Sequence, residues 1–256
     1  MKRLHIVGCV RSGTSLMLGC MASCFRNDGA CEHEMTIFTE PEGTPDFFIS
    51  KQPSDIKLVH RIIDRNPELY VIYMQRDPRA AITSIHNIDA KKYFADFTVW
   101  RAGDEAAARL AGHDRFLTLR YEDLVTDPDG MQQRIAEQFP FLEQLHPFTE
   151  YDKFNQPSFK ADEAMNGMRP ISNDRIRGWE KHLPRVKAQL ERFPELGRLL
   201  IERGYEADDQ WMEMLNEVQA EHSVSWCTEE TNPLHRIERE VRYWHKSRKY
   251  GARHAK

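Results

Sequence analysis

The sequence predicts an α/β fold: a central parallel sheet flanked by helices, with a helical extension at the C-terminus. Three observations predict it. Short runs rich in β-branched and aromatic residues alternate with stretches of helical character, the pattern of strands joined by crossover helices. Pro and Gly punctuate the boundaries. The unusual polar residues fall just after the apolar runs, where open α/β sheets gather their ligands.

Leu4 to Cys9 reads as a buried strand, Gly8 to Ser15 as a glycine-containing turn, and Leu16 to Phe25 as a helix. Phe47 to Ser50 is a second apolar run, ending at Lys51. Leu69 to Met74, between Pro67 and Pro78, is the best-defined strand, and Arg79 to Asn87 fits a helix behind it. Arg115 to Arg120 is a further strand, followed by a helix over Asp129 to Phe139. Pro184 to Gly204 is strongly helical and closes the α/β region, which is assigned to residues 1–208. Residues 209–256 form a separate charged extension. Eight acids and no Lys or Arg lie between Glu206 and Glu230, whereas eight Lys or Arg and two Glu lie between His235 and Lys256.

Composition excludes several classes. The formal charge of -4 over 256 residues gives no general affinity for nucleic acid, so any anion site must be local. No stretch approaches the ~20 apolar residues of a membrane helix, and Met1 to Gly8 lacks the apolar core of a signal peptide. A cytoplasmic location is therefore expected. The five cysteines include no C-x-x-C pair; Cys20 and Cys24 lie one helical turn apart but find no second ligand pair, so no metal site is assigned.

Two segments carry chemistry. Gly8-Cys9-Val10-Arg11-Ser12-Gly13-Thr14-Ser15 lies between a strand and a helix, where backbone N–H groups and a helix N-terminus hold phosphate. The glycine spacing is that of the nucleotide-binding P-loop, but Thr14 stands where that loop has its Lys, and the positive charge sits inside the loop at Arg11. Such a loop cradles an anion and is poorly built for Mg-ATP. The second segment, Met74 to Arg79, places Arg76 at a strand end with Ser84 about two turns into the next helix. Together the two outline a ligand with two anionic ends.

These residues resemble the PAPS-dependent sulfotransferase family, in its carbohydrate, tyrosylprotein and bacterial forms. Ile6 to Met17 resembles the family's 5'-phosphosulfate loop, and Tyr70 to Arg79 with Ser84 its 3'-phosphate element. Leu119 to Leu124 resembles the strand and turn that follow, and Ile171 to Trp179 the late segment that closes over the nucleotide. The resemblance spans about residues 4 to 206 and implies the P-loop-like sulfotransferase fold. It implies that Arg11, Ser12, Gly13, Thr14 and Ser15 hold the 5'-phosphosulfate of PAPS (3'-phosphoadenosine-5'-phosphosulfate), that Arg76 and Ser84 hold its 3'-phosphate, and that Arg177 contacts the nucleotide. Lys51, in Ser50-Lys51-Gln52-Pro53, resembles the family's Lys-x-Pro element and would contact the bridging or sulfuryl oxygens.

Sulfuryl transfer is an in-line displacement governed by positioning and charge stabilisation. Arg11 and Lys51 would neutralise the leaving phosphate, and the scheme requires no metal. A base must take the acceptor proton. The segment Cys31 to Glu42 offers Glu32, Glu34 and Glu40, with Glu34 and then Glu40 favoured and His60 as a further candidate. The expected acceptor is a carbohydrate or glycolipid hydroxyl, and the product adenosine 3',5'-bisphosphate. Two rivals remain: a P-loop kinase using Mg-ATP, and a non-catalytic nucleotide-binding protein of the same fold. The basic end of the chain leaves two roles open, peripheral contact with an anionic membrane or pairing with the acidic segment before it.

Overall fold

An unbroken apolar strand needs cover on both faces. In the computed structural model of the chain, which describes residues 1–85, 89, 92–155 and 170–254, β1 (Lys2–Gly8) is an inner strand of a four-stranded sheet. Its order is β2 (Phe47–Lys51), β1, β3 (Leu69–Gln75) and β5 (Phe116–Arg120), all parallel. A second, parallel pair joins β4 (Tyr93–Ala95) to β6 (Ser225–Cys227).

Strand side chains alternate between faces, and the core divides accordingly. On one face Leu4, Ile6, Ile72 and Met74 pack beneath α1 (Thr14–Cys24), α5 (Tyr121–Thr126) and α6 (Pro128–Gln138). On the other, Val7, Val71 and Tyr73 pack against α2 (Ile56–Val59) and α4 (Phe97–Ala108). A third cluster gathers Ile82 of α3 (Pro78–Ile82), Trp100, Trp179, Val186 of α8 (Leu183–Arg192) and Leu200 of α9 (Glu195–Glu202). A short helix, α7 (Tyr151–Phe154), flanks α1.

The chain leaves β1 toward β2 on one side and leaves β3 toward β5 on the other. The crevice between the carboxyl ends of β1 and β3 is thus the switch point where such sheets bind ligands. The anion loop follows β1 and Arg76 follows β3, so topology alone brings both to one place.

Two helical expectations are corrected. The helix expected over 79–87 ends at Ile82, so Ser84 lies beyond it and not two turns inside. Thr83 Oγ1 folds back on the Arg79 carbonyl at 2.7 Å. The Ser84 carbonyl then accepts from Phe94 N–H at 2.7 Å, and Ile85 bridges to Tyr93. Strand-like pairing has taken over from helix, while residues 86 and 87 lie outside the described residues. The stretch 184–204 is two helices, because Pro194 has no N–H and bars Phe193 from helical geometry; Phe193 has φ -135° and ψ 78°.

The stretch after 208 packs on the body through three elements. The 3-10 turn Gln210–Leu215 buries Trp211 and Leu215 in the third cluster. Strand β6 pairs with β4. Helix α10 (Pro233–His254) is anchored by Tyr250, whose hydroxyl accepts from Asn66 Nδ2 at 2.7 Å. The acidic and basic segments do meet, at Arg239–Glu229 (3.4 Å) and His235–Glu230 (3.1 Å). Glu229 is shared with Lys57 of the body.

Candidate active site

The loop after β1 needs its two glycines for different reasons. A Cβ on Gly8 would stand 2.5 Å from Ser12 Oγ and 2.7 Å from the Met74 carbonyl. Gly13 has φ +88°, and a Cβ there would meet the Tyr121 ring at 2.5 Å. Arg11 itself takes a left-handed φ of 68°, a conformation that costs an L-residue about 1–2 kcal/mol. Strain of this kind persists where surrounding structure imposes it, and it clusters at ligand clamps. Ser12 shapes the loop from inside: it is fully buried, and its hydroxyl and amide both donate to the Cys9 carbonyl, at 2.6 and 3.2 Å. Thr14 and Ser15 open α1, whose first turn has no side-chain cap. Its N–H groups are therefore ready for an anion.

The cations around this loop decide what it can hold. Arg11 Nε donates to Ser84 Oγ at 2.7 Å, and its guanidinium lies over Phe94. Arg76 donates to the Arg11 carbonyl at 2.9 Å and to the Arg175 carbonyl at 3.4 Å, and stacks 4.2 Å above the Tyr121 ring. Two carboxylates that could answer Arg76 are engaged elsewhere: its neighbour Asp77 binds Arg79, and Glu122 accepts the Asp77 amide at 3.0 Å. Among the described residues no carboxylate lies within ion-pair distance of Arg11 or Arg76, and the buried Arg76 Nε has no hydrogen-bond acceptor. Burial lowers the pKa of Arg11, and the like charges of Arg76 and Arg175 lower it further. Two guanidiniums, Arg11 and Arg76, that meet no carboxylate among the described residues suit a multiply charged anion.

Lys51 supplies the fourth cation. It ends β2 at 1% exposure, with Nζ 3.0 Å from Ser15 Oγ and 3.5 Å from Glu34 Oε1. Burial lowers its pKa, opposed by the nearby Glu34 carboxylate. Glu34 also accepts from Gln52 Nε2 at 3.2 Å, and the Met35 amide bonds the Lys51 carbonyl at 2.9 Å.

These groups line one cleft of about 360 Å³, which includes Arg11, Gly13, Thr14, Ser15, Lys51 and Arg76. Glu34 lies on its wall, whereas Glu40 is exposed and outside it. Glu32 is exposed and His60 half-buried, and neither lines the cleft. Ser12 and Ser84 act on the loop and on Arg11, not on the lining. Arg177 points to solvent and pairs with Glu180, while Arg175 lines the cleft in its place. The sequence reading also passed over His33, Tyr121 and Tyr151. Tyr121 was within reach, because it directly follows β5, the same kind of strand-end position that marks Arg76.

A buried relay holds this wall. Arg3 Nε donates to Ser50 Oγ and the Ser50 hydroxyl donates to His5 Nδ1, both at 2.8 Å; His5 Nε2 lies 3.2 Å from Asp55 Oδ2. Donor order assigns the neutral imidazole with its proton on Nε2, and burial lowers the pKa of His5 in spite of Asp55. Arg3 also donates to the carbonyls of Thr36, Ile37 and Thr39, and Asp55 accepts from Thr36 and the Ile37 amide. The relay pins the chain just after Glu34 to the sheet.

Residues 30–140 match the protein family described as the sulfotransferase family. The sulfotransferase domain from the curacin biosynthetic pathway superposes with a TM-score of 0.54 at 13% identity, over 80% of this chain and 98% of that one. The sulfotransferase domain of the Synechococcus PCC 7002 olefin synthase aligns at 17% identity over 70% of this chain and 86% of that one, with a TM-score of 0.46. No curated protein matches the sequence. The fold is that of a sulfotransferase domain. The match to the sulfotransferase family covers residues 30–140, less than half of the chain.

Proposed function

We propose that the chain is a PAPS-dependent sulfotransferase acting on a hydroxyl or amine. One observation carries the reading: a phosphate-type loop and two guanidiniums, Arg11 and Arg76, share a cleft in which neither meets a carboxylate among the described residues. The cleft suits a ligand with two anionic ends. The loop amides, Thr14, Ser15 and Arg11 would hold the phosphosulfate, and Arg76 the 3'-phosphate. Ser84 serves by orienting Arg11. When bound, PAPS supplies a sulfuryl group whose bond to the phosphate oxygen breaks as the acceptor atom bonds sulfur, leaving adenosine 3',5'-bisphosphate.

The chain's own residues prepare that exchange. Lys51 brings a positive charge, held by Ser15 and Glu34, to the floor of the cleft; a preorganised cation at a developing charge is worth several kcal/mol. Glu34 is the favoured base: its carboxylate lines the cleft beside Lys51 and can take the acceptor proton. Glu40 would need the segment to rearrange. The proposed acceptor is a carbohydrate or glycolipid alcohol, for which the open side offers the polar groups of His33 and Glu34 and the ring of Tyr151. The charge balance is met by Arg11 and Lys51, so the scheme calls for no metal.

Calorimetric titration with adenosine 3',5'-bisphosphate, without magnesium and beside an ATP control, tests the reading. Micromolar binding to the bisphosphate supports it. Binding of Mg-ATP alone would replace it with a kinase, and binding of neither with a fold that has lost its chemistry.

A further inference from the structure

Helix α10 is amphipathic in an unusual sense, because it carries two apolar faces. One, through Tyr243, Ser247 and Tyr250, packs on the body. The other carries Leu234, Ile237, Val241 and Trp244, exposed at 68%, 60%, 50% and 46%. Their spacing of three, four and three places them in one stripe, roughly opposite the packed face. A surface helix that spends four large apolar side chains on solvent has a partner to cover them.

Charge selects the partner. Within Pro233–His254 there are seven Lys or Arg against two Glu, so a second copy laid on the stripe would face like charge. Arg242, His245 and Lys249 flank the stripe on one side, in a row that begins with Glu238, so the flank is basic over its C-terminal three positions. Beyond Trp244 opens a groove of about 680 Å³, lined by Arg65, Arg248 and His254 together with Asp64. Asp64 is engaged by His113 at 3.1 Å, and the Arg248 guanidinium lies 4.8 Å from the Trp244 ring. An apolar stripe, a basic flank, an interfacial Trp and a cationic groove at the same end match the headgroup and upper acyl region of an anionic bilayer. Among the described residues no helix is long and apolar enough to cross a membrane, so the contact is one of lying on the surface.

We propose that α10 docks the protein on anionic phospholipid membranes through the Leu234–Ile237–Val241–Trp244 stripe and the basic groove beside Trp244. The inference rests on the helix alone and is independent of the sulfuryl-transfer reading. The full-length protein should float with phosphatidylcholine vesicles containing about one third phosphatidylserine, and not with phosphatidylcholine alone. Half-molar salt should release most of it, and Ile237→Glu with Trp244→Glu should weaken flotation about tenfold or more. Both side chains are exposed, so an unchanged melting temperature certifies the variant's fold, and bisphosphate binding should be unaffected. Arg242→Glu with Arg248→Glu should weaken binding with the stripe intact. Failure of the wild type to float, equal binding to neutral vesicles, or flotation unchanged in the stripe variant would each overturn the proposal. So would a dimer by sedimentation equilibrium that the stripe variant dissolves while the wild type ignores vesicles.

Discussion

Arg76 and Arg79 stand three residues apart, at the end of one strand and the start of the next helix, and the fold treats them in opposite ways. Arg79 is held by Asp77 at 2.7 Å and by Glu206, and it lies between the rings of Trp179 and Trp211 at 3.9 and 4.8 Å. Every charge it carries is answered from within the chain. Among the described residues Arg76 meets only carbonyls and a tyrosine face. Arg79 is thus satisfied by the fold, whereas Arg76 keeps its charge available to the proposed ligand. Arg203 on Asp104 belongs with Arg79, and Arg11 with Arg76.

The contrast can be broken most forcefully at Arg79. Replacing it with Ala leaves Asp77 and Glu206 without their cation, and breaking such a buried pair costs about 3–5 kcal/mol. Urea unfolding should show that loss; an unchanged midpoint would mean that the pairing is ornamental. Turnover comes next. Once an acceptor is in hand, Glu34→Gln should lower kcat about a hundredfold or more if its carboxylate takes the proton, while Glu40→Gln should leave it unchanged. The reverse result would move the base to Glu40. Arg76→Ala should weaken bisphosphate binding about tenfold to a hundredfold, the scale of one or two charge-assisted hydrogen bonds. The ligand-free protein should lose much less stability than the Arg79 variant, because relief of the like charge beside Arg11 offsets the lost bonds to the Arg11 and Arg175 carbonyls. A fall in stability equal to that of the Arg79 variant would erase the distinction.

The smallest effect concerns pH. His5 is buried and its pKa lies below the ordinary value of 6.5, so just under that pH the unfolded chain binds more protons than the folded one. Stability therefore rises with pH in this window and is lost as pH falls from about 6.5 toward the folded value. The groups facing His5 are Ser50, Asp55 and Arg3. His5→Gln should flatten this part of the stability–pH curve, and a curve of unchanged slope would assign the acid sensitivity elsewhere.

What could be read from sequence follows the same division. The loop was legible because Gly8 and Gly13 are demanded by local backbone geometry, and Arg76 because a cation at a strand end has a fixed place in a parallel sheet. The resemblance put Ser84 with Arg76 on the 3'-phosphate, whereas the structure sets it against Arg11; that position depends on β4 pairing back from Phe94, a contact no local pattern announces. Arg175 and His33 reach the cleft from loops, where spacing carries no direction. The relay of Arg3, Ser50, His5 and Asp55 was hidden because its members lie up to 52 positions apart, and Arg3 reads simply as a basic residue near the start of β1. The division of 184–204 at Pro194 was legible and overlooked; a proline after ten helical residues should stop a helix.

The span of the contacts made by Arg76 has a consequence for the making of the protein. One guanidinium ties the carbonyl of Arg11 to that of Arg175, and its neighbour Arg79 waits for Glu206. A chain emerging from the ribosome thus exposes its anion loop well before Arg175 and Glu206 are made, and cannot finish the cleft until both have been synthesised, whatever the earlier segments do.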